Sequence, residues 1–417
     1  MARVLLLLPS ATYRAADFLE GARTLGVEVV IGSDEPNALG AVMGARSLLV
    51  PMDDPAEAAR RIAAHDAVAP LDAVVAVDDA GTVVAAAASE LLGLAHNPPD
   101  AVAAACDKLV MRTRLAAAEV PQPAFAALAS GAGPDEVAAV VGRIGLPCVI
   151  KPTTLSGSQG VLRADTADEA VAVARRVRGI ARSAGVPDDA PLLVERFAPG
   201  AEVAVEGLLV SGALRPMAIF DKPDPLDGPA FEETIYVTPS RLTPADTDAV
   251  VAAAAGATSA LGLVEGPVHA EVRVDAGRAV VIEVAARTIG GLCSRALTFS
   301  TGRSLEELVI AQALGLPLGA TAAVGASGVL MVPIPRAGRF TGVDGRQDAL
   351  AVPGVTDVQF TVAVGRHVSP VPEGDRYLGF VFARDSTPER VERALRRAGA
   401  SLEVHVDPDD GSGSTPP

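Results

Sequence analysis

The chain has 417 residues, 49% hydrophobic and 21% charged, with a formal net charge of −16. That balance fits two to three globular units, each large enough to bury its own core, and excludes a disordered chain. An excess of negative charge on this scale repels phosphate backbones and anionic lipid, so neither nucleic acid nor a membrane surface is an expected partner.

Residues 1 to about 95 alternate short apolar runs with amphipathic segments. Val4–Leu8, Val27–Ile31, Leu48–Val50 and Ala73–Val77 read as buried strands, and segments near 14–25, 55–64 and 81–92 as helices. This alternation predicts a parallel sheet covered by helices. The opening apolar run is ended by Pro9-Ser10, too soon for a leader segment. The turn after it, Pro9-Ser10-Ala11-Thr12, lacks the GxGxxG of a dinucleotide site. Asn97-Pro98-Pro99-Asp100 breaks the pattern, with Asp100 as cap of the next helix, near 107–118. A helix near 135–143, a strand Cys148–Lys151, a Gly/Ser turn and a helix near 167–183 follow. Three β segments fill 192–220, and the Pro- and Asp-rich stretch 221–240 reads as a long loop, a kind usually functional. A helix near 245–261 precedes strands Val268–Val274 and Ala279–Val284, joined by Asp275-Ala276-Gly277-Arg278, which suits a hairpin turn. A helix near 304–314, a β-rich stretch from 327 to 406 with a helix near 388–399, and a disordered tail from 407 complete the chain.

The three cysteines, Cys106, Cys148 and Cys293, are far apart, and no CxxC or His/Cys cluster has metal-ligand spacing. They read as reduced thiols of a cytoplasmic protein. Of 35 Lys and Arg residues only Lys108, Lys151 and Lys222 are Lys. In a chain that otherwise uses Arg, these mark places that want a compact point charge.

Three segments carry chemistry. In Val149-Ile150-Lys151-Pro152-Thr153-Thr154-Leu155-Ser156-Gly157-Ser158-Gln159-Gly160, a Lys at a strand end precedes a turn of small residues, which can offer backbone N–H groups to phosphate; an ordinary hairpin turn is the competing reading. In Leu192-Leu193-Val194-Glu195-Arg196-Phe197-Ala198-Pro199-Gly200-Ala201-Glu202, the two acids, taken alone, read as surface groups on a sheet edge. In the third, His269-Ala270-Glu271-Val272-Arg273 and Ile282-Glu283-Val284-Ala285-Ala286-Arg287 lie on adjacent strands, and a hairpin at 275–278 lets Glu271 and Glu283 face each other in a register close to paired. Two carboxylates among Val, Ile and Ala repel each other unless a cation joins them, and hard oxygen ligands suit Mg²⁺. The competing reading turns one acid to solvent.

In this order the segments resemble the ATP-grasp superfamily, over about 100–315, and within it the carboxylate–amine ligases, such as L-amino-acid ligases and carnosine-synthase-like enzymes. The resemblance implies an α/β and α+β chain: an N-terminal parallel α/β domain (1–97), ATP-grasp subdomains with a phosphate loop (98–190) and a metal site (191–320), a C-terminal β-rich α+β unit (321–406) and the tail (407–417). It implies that Lys108, Lys151 and the loop Ser156, Gly157, Ser158, Gln159 and Gly160 hold ATP phosphates. Backbone groups of Glu195, Arg196 and Phe197 would hold adenine, and Glu202 the ribose. Glu271 and Glu283 would hold Mg²⁺, for which Mn²⁺ can stand in, and Arg287 would steady the γ-phosphate and the tetrahedral intermediate beside Glu283. Many members carry Asn as a further metal ligand where this chain has Ala285. Glu233 and Lys222 in the 221–240 loop, His269, and Arg295 are candidates for substrate contact. Cys293 reads as a small buried residue rather than a nucleophile.

The implied reaction converts a small carboxylate, such as an amino acid, into an acyl phosphate and couples it to an amine, releasing ADP and phosphate. The alternatives are a carboxyphosphate-forming enzyme of the biotin carboxylase kind, whose chain ends the run Arg376-Tyr377-Leu378-Gly379-Phe380-Val381-Phe382-Ala383-Arg384 and its following helix resemble, and a non-catalytic ATP-binding protein. Homodimers are common among such proteins.

Overall fold

The computed structural model describes residues 1–10, 12–36, 46–299, 301–321 and 323–408, so the expected tail falls outside the described residues from 409 onward. Contacts group the chain into two compact units. The first comprises residues 1–122, 203–220 and 242–324; the second comprises 123–202, 221–241 and 325–417.

In the first unit the opening alternation folds as its pattern predicts. Arg3–Leu7 is the inner strand of an all-parallel sheet, flanked by Glu28–Ser33 and Ala73–Ala76, with Ser47–Leu49 outermost. After Arg3 the inner strand is apolar at every position, Val4 to Leu7, because both of its faces are covered. Asp54 caps the Pro55–Asp66 helix by accepting from Glu57 N, and Gly93 in the left-handed region ends the Asp79–Leu92 helix.

The stretch near 100–118 departs from expectation. It holds two helices, Pro99–Cys106 and Lys108–Ala117, and the cap of the second is Asp107, whose carboxylate accepts from Leu109 N and Val110 N. Asp100 instead lies in the first turn of the preceding helix and pairs with Arg114 at 2.9 Å.

The first unit's second sheet runs Arg278–Ala285, Gly266–Asp275, Ala201–Val210, Ala213–Asp221. Its core packs against the Pro244–Leu261 helix, whose many Ala residues let the backbone come close to the hairpin strands. The hairpin turn Ala276-Gly277 has positive φ at both residues, 48° and 80°, the signature of the turn that matches strand twist.

In the second unit, Phe125–Leu128, Leu192–Arg196, Cys148–Pro152 and Leu162–Ala164 form an antiparallel sheet in that order, packed on helices Pro134–Ile144 and Ala167–Ser183. A second antiparallel set, Ile235–Thr238, Ala326–Val332, Gly379–Asp385 and Val355–Phe360, packs on the Pro388–Ala400 helix. The stretch 221–240 is therefore not loop throughout. Ile235–Thr238 is buried at all four positions and pairs with Ala326–Val332, and its alternation is too short to stand out beside Pro and Asp. Gly338–Asp344, His367–Val368 and Glu403–Asp407 make a small third sheet.

Candidate active site

The hairpin of the first unit pairs Glu271 directly with Glu283 and His269 with Ala285. Directly opposed residues carry Cβ atoms about 5 Å apart on one face. After this pair the register slips, leaving Ile282 as an extra residue on the second strand. The slip is held open by Arg112, fully buried, which donates to the carbonyls of Val281 (3.0 Å) and Ile282 (2.6 Å). Val281 N bonds the Pro121 carbonyl at 2.9 Å.

Cations surround the acids. Lys108 Nζ lies 3.2 Å from Glu283 Oε1. The imidazole of His269 has Glu206 on its Nδ1 side and Glu271 on its Nε2 side, the latter at 3.4 Å. Burial works against a charge on this imidazole, but the two carboxylates outweigh it and raise its pKa to about 9. Arg287 donates from Nε to Asp79 Oδ1 at 2.8 Å and from Nη1 to the Thr288 carbonyl at 2.9 Å. Its burial too is outweighed, by Asp79 and Glu283, which keep it charged. In turn, Asp79 is pushed up by burial and down further by Arg287, Lys108 and His269, and stays below the usual carboxylate range.

This donor set suits a hard divalent cation. The two acids share a face and are partly accessible, with side-chain exposures of 19% for Glu271 and 26% for Glu283. Ala285 supplies no further ligand.

Five residues of this region, Arg14, Asp78, Asp79, Arg112 and Glu206, escaped the sequence reading. Asp79 and Asp78 stand just past the carboxyl end of Ala73–Ala76, the edge where parallel sheets place ligands; that position was the available signal. Glu206 lies mid-strand in an apolar run, and nothing local announces it. Buried Arg14 reaches the Val77 carbonyl at 2.9 Å and Thr288 Oγ1 at 2.5 Å. Arg295, expected to be open to a substrate carboxylate, holds Asp17 in a two-pronged pair at 2.8 to 3.1 Å.

The second unit carries the other expected residues. Lys151 and Glu195 are not surface groups: they form a buried pair at 2.8 Å with side-chain exposures of 4% and 5%. The amides of Arg196 and Phe197 bond the Ala124 and Pro147 carbonyls at 2.8 and 2.9 Å. Both amides are therefore engaged within the protein. Arg163 stacks over Phe197 at 4.5 Å, with Phe231 beside it.

In the small-residue turn, Gly157, Ser158 and Gly160 have positive φ. Two of its amides are already engaged, Gln159 N with the Ser156 carbonyl and Gly160 N with the Pro372 carbonyl, and the Gln159 side chain bonds the Glu373 carbonyl. The turn thus offers fewer open donors than its sequence suggests. Lys222 lies between Glu202, at 2.7 Å, and Glu233, and over the ring of Tyr236. Glu233 thus already holds an ammonium, that of Lys222.

Among the described residues no helix is long and apolar enough to cross a membrane. The cysteines are free, and burial pushes the Cys148 thiol up to about 11.

Family models match three stretches: an ATP-grasp N-terminal domain over 19–96, an ATP-grasp domain over 144–296, and an L-amino acid ligase C-terminal domain 2 over 330–407. An uncharacterized protein, y4rH, of Sinorhizobium fredii is 28% identical over 74% of this chain and 63% of its own length. Alanine–anticapsin ligase of Bacillus subtilis is 32% identical over 37% of this chain and 36% of its own. The chain thus spans less than two thirds of either relative. The crystal structure of an L-amino acid ligase from Bacillus licheniformis superimposes with a TM-score of 0.81 at 24% identity, covering 98% of this chain and 99% of that one.

Proposed function

The chain belongs to the ATP-grasp superfamily, and we propose on that footing that it is an ADP-forming ligase joining a small carboxylate, an amino acid or related acid, to an amine. The observation that carries the reading is the direct pairing of Glu271 with Glu283, with Lys108 against one acid and Arg287 held by Asp79. The match of 330–407 to an L-amino acid ligase C-terminal domain favours an amine acceptor over bicarbonate chemistry.

In this reading a divalent cation bound by Glu271 and Glu283 would neutralise the β- and γ-phosphates of ATP. A carboxylate oxygen of the acid attacks the γ-phosphorus, ADP leaves, and an acyl phosphate forms. The amine then attacks the acyl carbon, the C–O bond to phosphate breaks, and the proton lost by the amine leaves with the phosphate. The chain's part is positioning and charge. Asp79 fixes the plane of the Arg287 guanidinium, and Arg287 meets the oxyanion that develops on the carbonyl oxygen as the amine adds. Lys108 exchanges Glu283 for phosphate oxygen as its partner. The roles of Lys151, of 156–160, of the 195–197 backbone and of Glu202 towards the nucleotide rest on the family resemblance.

The test is ADP and phosphate release over a matrix of carboxylates and amines, with Glu283→Gln as the inactive control. The reading expects ADP formation that needs both partners. Release of AMP and pyrophosphate overturns it, and ADP release supported by bicarbonate without an amine redirects it to carboxyphosphate formation.

A further inference from the structure

Glu206 is the most deeply buried acid near the hairpin, 1% exposed, and the proposed chemistry gives it no task. A carboxylate so placed is tolerated only when its oxygens are satisfied. Here the two oxygens serve two different elements. Oε1 takes the Nδ1 side of His269, on the neighbouring strand. Oε2 accepts the amide of Ile289 at 3.0 Å, two residues past Arg287. The other edge of the imidazole faces Glu271 at 3.4 Å, and the ring stands across from Ala285, whose methyl group leaves it room.

We infer that Glu206 is a positioning residue that aligns both halves of the site: through His269 it orients the Glu271 carboxylate, and through Ile289 N it fixes the loop that presents Arg287. The inference rests on the reading that Glu271 and Glu283 bind a divalent cation. Carboxylates behind a metal ligand set its orientation, and their loss commonly weakens metal binding 10- to 100-fold.

Glu206→Gln is the informative change. Glutamine keeps the volume but has one acceptor oxygen where the carboxylate has two. With that oxygen on Ile289 N it turns an NH2, not an acceptor, towards the Nδ1 side of His269, and the negative charge beside the imidazole is gone. Binding of Mn²⁺ in the presence of ADP, followed by the electron paramagnetic resonance of the free ion, should weaken about tenfold or more. The free Mg²⁺ concentration giving half-maximal ADP formation should rise in parallel, and kcat should recover in part at high Mg²⁺. A merely structural role would lower the unfolding midpoint and leave both metal constants in place.

Should Glu206→Gln fail to fold, His269→Gln interrupts the same link one step on and should weaken Mn²⁺ similarly. Mn²⁺ affinity within twofold of the parent in the folded variant, with Glu283→Gln strongly weakened, overturns the role of Glu206 alone. Unchanged affinity in Glu283→Gln as well overturns the metal reading beneath it.

Discussion

Each unit buries lysine against glutamate, but in opposite ways. In the second unit Lys151 and Glu195 close on each other with almost no exposure, and Lys222 is shared by Glu202 and Glu233. In the first unit Lys108 lies against Glu283, and both opposed acids keep a fifth to a quarter of their surface. A closed pair satisfies itself and holds shape. An opposed acid pair that keeps part of its surface accessible is placed to meet a ligand. Under the proposed function, the contrast separates pairs that are closed in the free protein from acids that stay accessible for the metal.

Four measurements break or sharpen that contrast. Glu283→Gln should cut ADP formation by about a thousandfold with little change in unfolding midpoint, since it removes transition-state charge compensation from a partly open position. A large loss of stability instead would put the hairpin acids with the closed pairs. Lys151→Ala should do the reverse to the fold, costing about 3–5 kcal/mol in urea unfolding by stranding Glu195. Pairing it with Glu195→Leu should return much of that.

Asp79→Asn, which loosens Arg287, should lower kcat about tenfold while leaving the KM for the carboxylate near its parent value. Asp79→Glu should restore part of it.

The smallest effect is one of pH. His269 has a folded pKa of about 9, above the ordinary 6.5, so its ion pairs stabilise fully below pH 6.5 and fade as pH climbs through 9. Thermal unfolding in EDTA should show this decline between pH 7 and 10 in the parent, and a flatter profile in His269→Gln.

The sequence told most where the signal is local. The hairpin was legible because Asp275-Ala276-Gly277-Arg278 is a two-residue turn between apolar runs; that turn alone would set Glu271 against Ile282, and it is the extra residue Ile282, which no local signal announces, that brings Glu283 opposite Glu271. The parallel sheet was legible from its alternation. The break at 106–108 was not: apolar periodicity runs through both helices, and only the Asp107 carboxylate, accepting two amides, separates them. Ile235–Thr238 was hidden because its partner strand begins some ninety residues later. Glu206 and Asp79 acquire meaning only from strand neighbours and helix ends far off in the chain, which residue order alone does not supply.

The lysine complement has a practical corollary. All three are under a tenth exposed, at 6%, 4% and 8%, so the folded surface presents Arg and hardly any side-chain amine. Reagents that acylate amines should tag the native molecule at the α-amino group and little else. Each further mass increment then reports one of the three interiors coming open, a label-counting clock that needs no engineered probe.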